Sequence, residues 1–316
     1  MNIQFLESEK IKAGALRLGF SACGLAPARP VPIEVCRQYD GSLREHRHAT
    51  MEYLANYREK RFDPTLLMEG TQTILSVALN YYPEKPLRSE SYEFAYYAYG
   101  KDYHVVVKKK LNELLLFLKE MAEEKHIQLD GRAFCDTAPV LERFWAWRCG
   151  LGWIGKNTQL ILPRAGSYFF LGELFLTSEV DKYDEPLPSH CGSCTRCLDA
   201  CPTNAITGTG SMDARKCLSY LTIENRGEIP SQYIPALGSC VYGCDRCQQA
   251  CPWNQFATPS EVAEFRPSER FMQMSCEDWH NLSVEDYREL FRGSAVKRSR
   301  YEGLVRNIET VRKTGE

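Results

Sequence analysis

Most of the cysteines of this chain are gathered in one segment, with a spacing that suits iron–sulfur chemistry. Nine of the 14 cysteines lie between Cys191 and Cys251. The first four form the pattern C-x2-C-x2-C-x3-C-P: Cys191, Cys194, Cys197 and Cys201. Two-residue spacings wrap a tight loop, so that three thiolates reach three irons of one cubane 4Fe–4S cluster. The segment therefore predicts electron transfer, although it does not name a substrate.

The motif recurs once, as Cys244, Cys247 and Cys251 before Pro252. In two-cluster bacterial ferredoxins the fourth cysteine of such a run ligates the other cluster. This rule groups Cys251 with Cys191, Cys194 and Cys197, and it groups Cys201 with Cys244 and Cys247. Either Cys217 or Cys240 could complete the second cluster. A zinc ribbon, the alternative, needs only two C-x2-C pairs and would not explain the third cysteine, the proline or the repeat.

Length and charge limit the class of protein. The 316 residues suffice for one large domain or two ordinary ones, and a net charge of −2 does not announce a nucleic-acid binder. No run approaches the about 20 apolar residues of a membrane helix, and neither a secretory nor a twin-arginine signal is recognisable. We expect a cytoplasmic protein in which five scattered cysteines are small buried residues: Cys23, Cys36, Cys135, Cys149 and Cys276.

Strands and helices are mixed through the first 180 residues, which predicts an α+β (α/β-like) fold. Apolar periodicity predicts helices over residues 5–18, 33–60 (broken near Asp40-Gly41), 103–125 and 140–149, and two more over 284–312. It predicts strands over residues 22–26, 73–81 and 133–135, and a hairpin formed by 158–162 and 168–176. The expected domains are 1–180, a cluster domain over 181–262, and a helical extension over 263–316 that packs on the core.

Segments outside the cysteine motifs carry a family resemblance. They read DTAPVLERFWAWRCGLGWIGKN (136–157), LTIENRGEIP (221–230) and FRGSAVKRSRYEGLVRNI (291–308). Earlier in the chain come MEYLANYREKRFDP (51–64) and YGKDYHVVVKKKL (99–111). Together with the paired cluster motifs in this order, they strongly resemble the epoxyqueuosine reductases over almost the whole chain.

The resemblance implies an enzyme that reduces epoxyqueuosine to queuosine at the wobble position of tRNA, the last step of queuosine biosynthesis. It implies a nitroreductase-like domain that binds cobalamin, and a bacterial-ferredoxin-like domain whose two 4Fe–4S clusters pass electrons to it. The implied partners are the anticodon stem-loop of tRNA and an electron donor such as flavodoxin or ferredoxin, with a monomeric chain and no membrane. Longer members continue into helical repeats that help to hold tRNA. Because this sequence ends at Glu316, we expect a short form whose core grips tRNA alone or more weakly.

The resemblance also assigns residues. Asp136 becomes the proton donor, Cys217 the fourth ligand of the second cluster, and Cys240 the spare thiol. The residues expected to line the cobalamin site are Arg61, Tyr97, Asp136, Ile154, Asn157, Leu160, Ser167, Leu171, Tyr242 and Gly243. Those expected to contact tRNA are Glu224, Asn225, Arg226, Lys297, Arg298 and Arg300.

Simpler interpretations compete with several of these roles. Asp136 could be only a helix N-cap; as an acid beside a low-dielectric corrin face, its pKa would be raised. His104 follows Asp102 in an incomplete D-x-H-x-x-G cobalt-ligand pattern, since Val107 replaces the glycine, so we expect it to begin a helix or to face substrate. The basic residues could lie on a solvated helix face. The alternative functions are a corrinoid reductive dehalogenase, usually exported, and an electron carrier, which would not need the long N-terminal part.

Overall fold

The computed structural model of the chain describes residues 5–87, 91–208 and 210–315. Its helices are α1 (Ser8–Arg17), α2 (Ile33–Arg44), α3 (Arg58–Phe62), α4 (Tyr103–Glu124), α5 (Glu142–Arg148), α6 (Arg196–Asp199), α7 (Leu218–Ile223), α8 (Ile234–Leu237), α9 (Arg246–Gln249), α10 (Glu269–Gln273), α11 (Cys276–His280), α12 (Val284–Leu290) and α13 (Arg300–Gly315). Its strands are β1 (Ala22–Pro27), β2 (Thr73–Asn80), β3 (Glu93–Phe94), β4 (Gly131–Phe134), β5 (Trp153–Ile154), β6 (Leu160–Ile161), β7 (Phe169–Leu176), β8 (Ile206–Gly208), β9 (Ser211–Met212) and β10 (Cys240–Tyr242). Within these ranges, no helix has the length and apolarity needed to cross a bilayer.

Four antiparallel strands form the central sheet, in the order β1-β2-β7-β4. Successive side chains of a strand point to opposite faces. In β2, Leu75 and Val77 join the core that contains α1 and α4, whereas Ile74 and Ala78 join the core that contains α2 and α5. Helices therefore cover both faces of the sheet, and the predicted α+β fold is confirmed.

A third core joins the cysteine-rich segment, the C-terminal helices and residues 92–99. Strands β3 and β10 pair in parallel, with Phe94 opposite Tyr242. Around them the aromatic rings are close, and the ring centroids of Phe94 and Trp279 are 4.9 Å apart. Each buried aromatic side chain removes a large apolar area from water. This shared core therefore fixes the cysteine-rich segment to the part of the chain that precedes the long helix α4.

Helix α13 closes this core through one buried amide. Asn307 is 0% exposed, and its Nδ2 donates hydrogen bonds of 2.8 Å to the carbonyl oxygens of Thr222 and of Val241. One side chain therefore connects α13 to α7 and to β10, next to the cysteine motifs.

Most predicted elements are confirmed, but two predictions are wrong. The expected hairpin does not form, because β6 pairs with β5 while β7 pairs with β2 and β4. A β-carbon on Gly152 would lie 2.1 Å from the carbonyl oxygen of Ile161, so glycine is what permits the β5–β6 approach. Helix α2 continues through Asp40-Gly41, at a cost of about 1 kcal/mol for the glycine, and Asp40 accepts hydrogen bonds of 2.9 and 2.6 Å from Arg58.

The amide of Asn307 gives a stability test. In Asn307→Leu, two buried carbonyls lose their donor, which we expect to lower the free energy of unfolding by about 1–3 kcal/mol. Thermal unfolding should show a clear fall in the midpoint temperature. The exposed Glu309 on the same helix supplies the control, since Glu309→Gln should unfold like the parent. Equal midpoints for Asn307→Leu and the parent would contradict this role.

Candidate active site and cluster centres

Asp136 follows β4 at the edge of the central sheet, in an unusual backbone conformation. Its φ is 55°, in the left-handed region that residues other than glycine seldom adopt. Its backbone N–H donates a hydrogen bond to Oε1 of Glu142, the first residue of α5. The Asp136 side chain is 56% exposed and does not cap a helix, since Leu141 holds the N-cap position of α5. The conformation presents the carboxylate to solvent, as a substrate-facing group requires.

The carboxylate of Asp136 ends a chain of hydrogen bonds. Its Oδ2 lies 2.5 Å from the hydroxyl oxygen of Tyr103, which donates, and 3.2 Å from Nε2 of His104. The other ring nitrogen, Nδ1, lies 2.6 Å from Oδ1 of Asp102, the N-cap residue of α4. Both nitrogens of His104 are thus engaged by carboxylates, so the ring does not offer a ligand to cobalt.

These contacts decide where the acidic proton lies. Burial acts to raise the pKa of Asp136, but the hydrogen bonds from His104 and Tyr103 outweigh it, and the net pKa is lowered. Burial acts to lower the pKa of His104, yet hydrogen bonds with Asp102 and Asp136 raise it to about 9. The expectation of a raised pKa concerns Asp136 beside a bound corrin, and it stays a prediction for that state. In the present arrangement, the contacts favour a charged imidazolium at His104 over a protonated carboxyl at Asp136.

A wall of aromatic rings connects Asp136 with the cysteine-rich segment. The rings of Tyr103 and Phe170 stack with centroids 4.3 Å apart, and the centroids of Tyr103 and Tyr97 are 6.2 Å apart. The Tyr97 hydroxyl donates to that of Tyr242 at 3.2 Å. Since Tyr242 belongs to β10, just before Cys244, the wall joins the proton-bearing groups to the cluster motifs.

Several residues predicted to line the cobalamin site lie on β5, β6 and β7 or contact the second cysteine motif. Ile154 and Leu160 are cross-strand partners in β5 and β6. Asn157 donates to the carbonyl of Cys247 at 3.4 Å, and Ser167 Oγ accepts from Asn254 at 3.0 Å. Leu171 is half-buried in β7, at the register position of Ala78. These positions join the central sheet to the second cysteine motif.

Arg61 and Gly243, both predicted to line the cobalamin site, have unusual surroundings. Arg61 is buried, and its Nε has no hydrogen-bond partner in the protein, which is costly for a donor unless another group satisfies it. Gly243 has a φ of 70°, and a β-carbon there would lie 2.5 Å from Cβ of Ala95, so this turn accepts only glycine. The unpartnered donor of Arg61 fits a bound cobalamin, whereas the glycine at position 243 is required by its contact with Ala95.

The cysteines form two neighbouring sets of four. Burial and three nearby thiols raise the pKa of Cys197: Cys251, Cys191 and Cys194. Burial and nearby groups raise the pKa of Cys247, among them the thiols of Cys244, Cys217 and Cys201. These are the sets that the cross-over rule and the family resemblance assign to the two clusters.

The first set has an available donor beside it. Trp153 Nε1 is buried and has no partner in the protein. The ring of Trp153 lies 4.9 Å from that of His190 and 4.8 Å from that of Trp253, centroid to centroid. These two residues flank Cys191 and Cys251 in sequence. An indole N–H near cluster sulfur would be satisfied there, so the surroundings fit a bound cluster.

Cys240, predicted to be the spare thiol, lies against the second set. It is buried, and its Sγ donates to the carbonyl of Gly243 at 2.6 Å. A second hydrogen bond joins it to Cys244, lowering the pKa of Cys244 and raising that of Cys240. Cys240 thus contacts Cys244 directly, and its assignment as the spare thiol stays a prediction.

Several residues expected to contact tRNA already form hydrogen bonds within the chain. Arg298 binds Glu224 through two hydrogen bonds of 2.7 and 2.9 Å. Arg226 donates to the carbonyls of Ile223, Arg298 and Ser299, and Asn225 Nδ2 to those of Gly227 and Glu228. Lys297 and Arg300 are exposed. The loop 224–228 is thus shaped by internal bonds, whereas Lys297 and Arg300 point to solvent.

Sequence reasoning missed three residues of this site. Tyr103 and Glu142 hold Asp136, and Tyr53 lies 48% exposed with the Arg298 guanidinium 5.6 Å from its ring centroid. A signal for Tyr103 was present in the sequence, because it lies between Asp102 and His104, two titratable residues at the predicted start of a helix. The contacts of Glu142 and Tyr53 depend on loop conformation, which periodicity does not reveal.

Comparisons with known proteins show the family to which this chain belongs. Residues 190–254 match the family model of the 4Fe-4S double cluster binding domain, and residues 61–137 match the model described as "Epoxyqueuosine reductase QueG, DUF1730". An epoxyqueuosine reductase of Cellulophaga algicola is 41% identical over 98% of this chain and 99% of its own length. One of Leadbetterella byssophila is 44% identical over 96% and 98%. The crystal structure of an epoxyqueuosine reductase with an epoxyqueuosine-modified tRNA stem loop superposes with a TM-score of 0.85 at 27% identity, covering 96% of this chain and 80% of that one.

The fourth ligand of the second cluster can be tested directly. Cys217→Ala should lose one cluster, because it removes a thiolate from a set of four, and anaerobic iron and acid-labile sulfide analysis should fall to about half of the parent value. The matched variant Cys240→Ala should keep both clusters, since Cys240 only hydrogen-bonds a ligand. Loss of iron in Cys240→Ala, with full loading of Cys217→Ala, would reverse the assignment.

Proposed function

This chain belongs to the epoxyqueuosine reductase family, and from that premise we propose that it reduces epoxyqueuosine to queuosine in tRNA, the last step of queuosine biosynthesis. The observation that carries the proposal is the wall of aromatic rings, which connects a proton-delivering pair of residues with the two cysteine sets. Asp136, with its hydrogen-bonded His104, can deliver a proton, and the two cysteine sets can hold electron carriers. The Tyr97–Tyr242 hydrogen bond joins them. A reductive opening of a carbon–oxygen bond needs both electrons and protons at one place.

The cofactors of the proposal are cobalamin and two 4Fe–4S clusters. When bound, cobalamin would supply the electrons needed to break the carbon–oxygen bonds of the epoxide, and the clusters would supply electrons to cobalamin. The residues that would hold it include Arg61, Ile154, Asn157 and Gly243, which supply a buried cation, apolar contacts and a turn without a β-carbon.

The two cysteine sets differ in depth. In the loop of the first motif, the residues between Cys191 and Cys197 that are not cysteines are exposed. Around the second motif, by contrast, Asp245 and Gln248 are buried. We propose that an electron donor such as flavodoxin or ferredoxin delivers electrons at the exposed first cluster, and that the deeper cluster passes them inward. The proposal includes a monomeric chain in the cytoplasm, where tRNA is found.

The protein groups around Asp136 have separate tasks. Burial and the neighbouring Asp136 raise the pKa of Tyr103, so its phenol stays protonated and remains a fixed donor to Oδ2. Glu142 accepts the backbone N–H of Asp136 and so holds the left-handed conformation. The carboxyl is thereby kept at one position, from which it can protonate the epoxide oxygen as the carbon–oxygen bond breaks.

The tRNA would approach the side of the site where Tyr53, Arg298 and Glu224 meet. An exposed ring with a guanidinium beside it suits the stacking of an unpaired base, and the fixed Arg298–Glu224 pair offers polar groups to a base edge. Lys297 and Arg300 are free to approach phosphates, whose contacts with cations dominate affinity and weaken with salt. Arg226 and Asn225 would contribute indirectly, by shaping the loop.

Replacing the proposed proton donor tests this function. Asp136→Asn keeps the shape and accepts the same hydrogen bonds, but it does not carry an acidic proton. We expect both clusters, cobalamin binding and tRNA binding to persist, while queuosine formation falls by about 10²–10⁴-fold. The measurement is anaerobic turnover of epoxyqueuosine-containing tRNA, followed by nucleoside analysis. Asp130→Asn, an exposed carboxylate before β4, is the control and should turn over like the parent.

Other outcomes would contradict the proposal. If the fully loaded parent converts a haloarene but not the tRNA, the chain is a dehalogenase. If it binds clusters without cobalamin, it is an electron carrier. If Asp136→Asn turns over at the parent rate, the acid must be sought elsewhere.

A further inference from the structure

The proposed reaction consumes more protons than Asp136 can hold. Removal of the epoxide oxygen breaks two carbon–oxygen bonds, forms one carbon–carbon double bond and releases water. The balance requires two electrons, supplied through the cofactors, and two protons, which both end on the departing oxygen. One carboxyl carries one proton at most, and the pKa of Asp136 is lowered. Asp136 must therefore receive a proton during each turnover, from a neighbouring group or from solvent, an inference that rests on the proposed function.

The contacts of Asp136 restrict the choice of that group. Three groups bond to it: the Tyr103 hydroxyl, the His104 ring and, at its backbone, Glu142. Tyr103 keeps its proton, because its pKa is raised. Glu142 binds the backbone N–H rather than the carboxylate. His104 alone, among the described residues that bond to this carboxylate, can exchange a proton near neutral pH.

We propose that His104 is the proton source of the reduction and acts through Asp136, while Asp102 holds the ring in position. A proton passes from Nε2 of His104 to Oδ2 of Asp136, across the 3.2 Å that separate them. Asp136 delivers it to the oxygen as the first carbon–oxygen bond breaks. His104 is 31% exposed in its side chain, so solvent can return a proton to the ring. The same path then delivers the second proton, and the oxygen leaves as water.

The surroundings of His104 favour its charged form. Asp102, at the start of α4, lies 2.6 Å from Nδ1, and Asp136, after β4, binds Nε2. The Tyr103 ring stacks on the imidazole with centroids 4.1 Å apart, and Glu142 on α5 lies close enough to interact electrostatically. The two bonded carboxylates raise the pKa to about 9. The ring is thus charged at neutral pH, and turnover should fall as the pH rises through the pKa of His104.

Two substitutions test this role by steady-state kinetics of the cofactor-loaded chain with epoxyqueuosine tRNA. In His104→Gln, the amide can still donate to Asp136 but cannot carry a transferable proton. We expect kcat to fall by about 10²-fold, with the KM for tRNA, the iron content and the cobalamin content unchanged. His126, exposed just after α4, supplies the control, since His126→Gln should match the parent.

Asp102→Asn tests the role of His104 through the pH dependence of kcat, which should not change if His104 has only a structural role. It removes one of the two carboxylates that favour the imidazolium, so the alkaline limb of the kcat profile should shift to lower pH, while the rate at acidic pH is largely retained. Proton NMR of the oxidised, cluster-loaded chain gives an independent measure. The His104 resonance, identified by its absence in His104→Gln, should titrate above the ordinary range in the parent and lower in Asp102→Asn.

The outcomes separate this inference from the proposed function. Conversion by the parent together with a parental kcat in His104→Gln would overturn the role of His104 alone. So would an alkaline limb that stays in place in Asp102→Asn, even if His104→Gln proved too unstable to assay. Failure of the loaded parent to convert the tRNA would instead overturn the proposed function.

Discussion

The short parallel pairing of β3 with β10 is the constraint on which the rest of the site depends. Backbone N–H groups of Glu93 and Ala95 donate to the carbonyls of Ser239 and Tyr242, both at 2.8 Å. Just after β3, the backbone N–H of Tyr96 donates a hydrogen bond of 2.7 Å to the carboxylate of Asp245, within the second cysteine motif. These bonds place the cysteines and the aromatic wall at a fixed separation. Electron and proton delivery can meet at one substrate only if that separation is held.

The shared aromatic core explains how so short a ladder suffices. Two strands of two or three residues have little stability alone. Phe94 and Tyr242 are paired in the ladder, and Trp279 and Phe291 pack around them from the C-terminal helices. The buried amide of Asn307 adds directional bonds to the apolar contacts. Residues far apart in sequence therefore fix the two short strands together.

The groups around Asp136 are held in place differently: hydrogen bonds stabilise an unfavourable backbone conformation. Asp136 is kept at a φ of 55° by Glu142 behind its backbone and by Tyr103 and His104 at its carboxylate. A backbone in a sparsely populated region persists only when its surroundings determine it. The result is a carboxylate that is both exposed to substrate and connected to a protonated imidazole.

Much of this arrangement could be predicted from the sequence. Cysteine spacing predicted one set of four and three members of the other, because the geometry of a cubane restricts ligand spacing. The resemblance supplied Cys217 as the eighth ligand, and periodicity predicted most of the strands and α4. The resemblance supplied Asp136. Strand partners could not be predicted, as β6 shows, because an apolar run does not specify its neighbour. The lowered pKa of Asp136 in this arrangement could not be predicted from the sequence either, since the direction of the shift depends on hydrogen bonds from His104 and Tyr103.

The most direct test of the central claim is an anaerobic crystal structure of the cobalamin-loaded chain, with iron located by anomalous scattering. The account predicts two iron clusters, the deeper one within the set of Cys201, Cys217, Cys244 and Cys247. It places cobalamin between that cluster and Asp136, along the wall of Tyr97 and Tyr242. A single cluster, or cobalamin bound away from Asp136 and the aromatic wall, would contradict it.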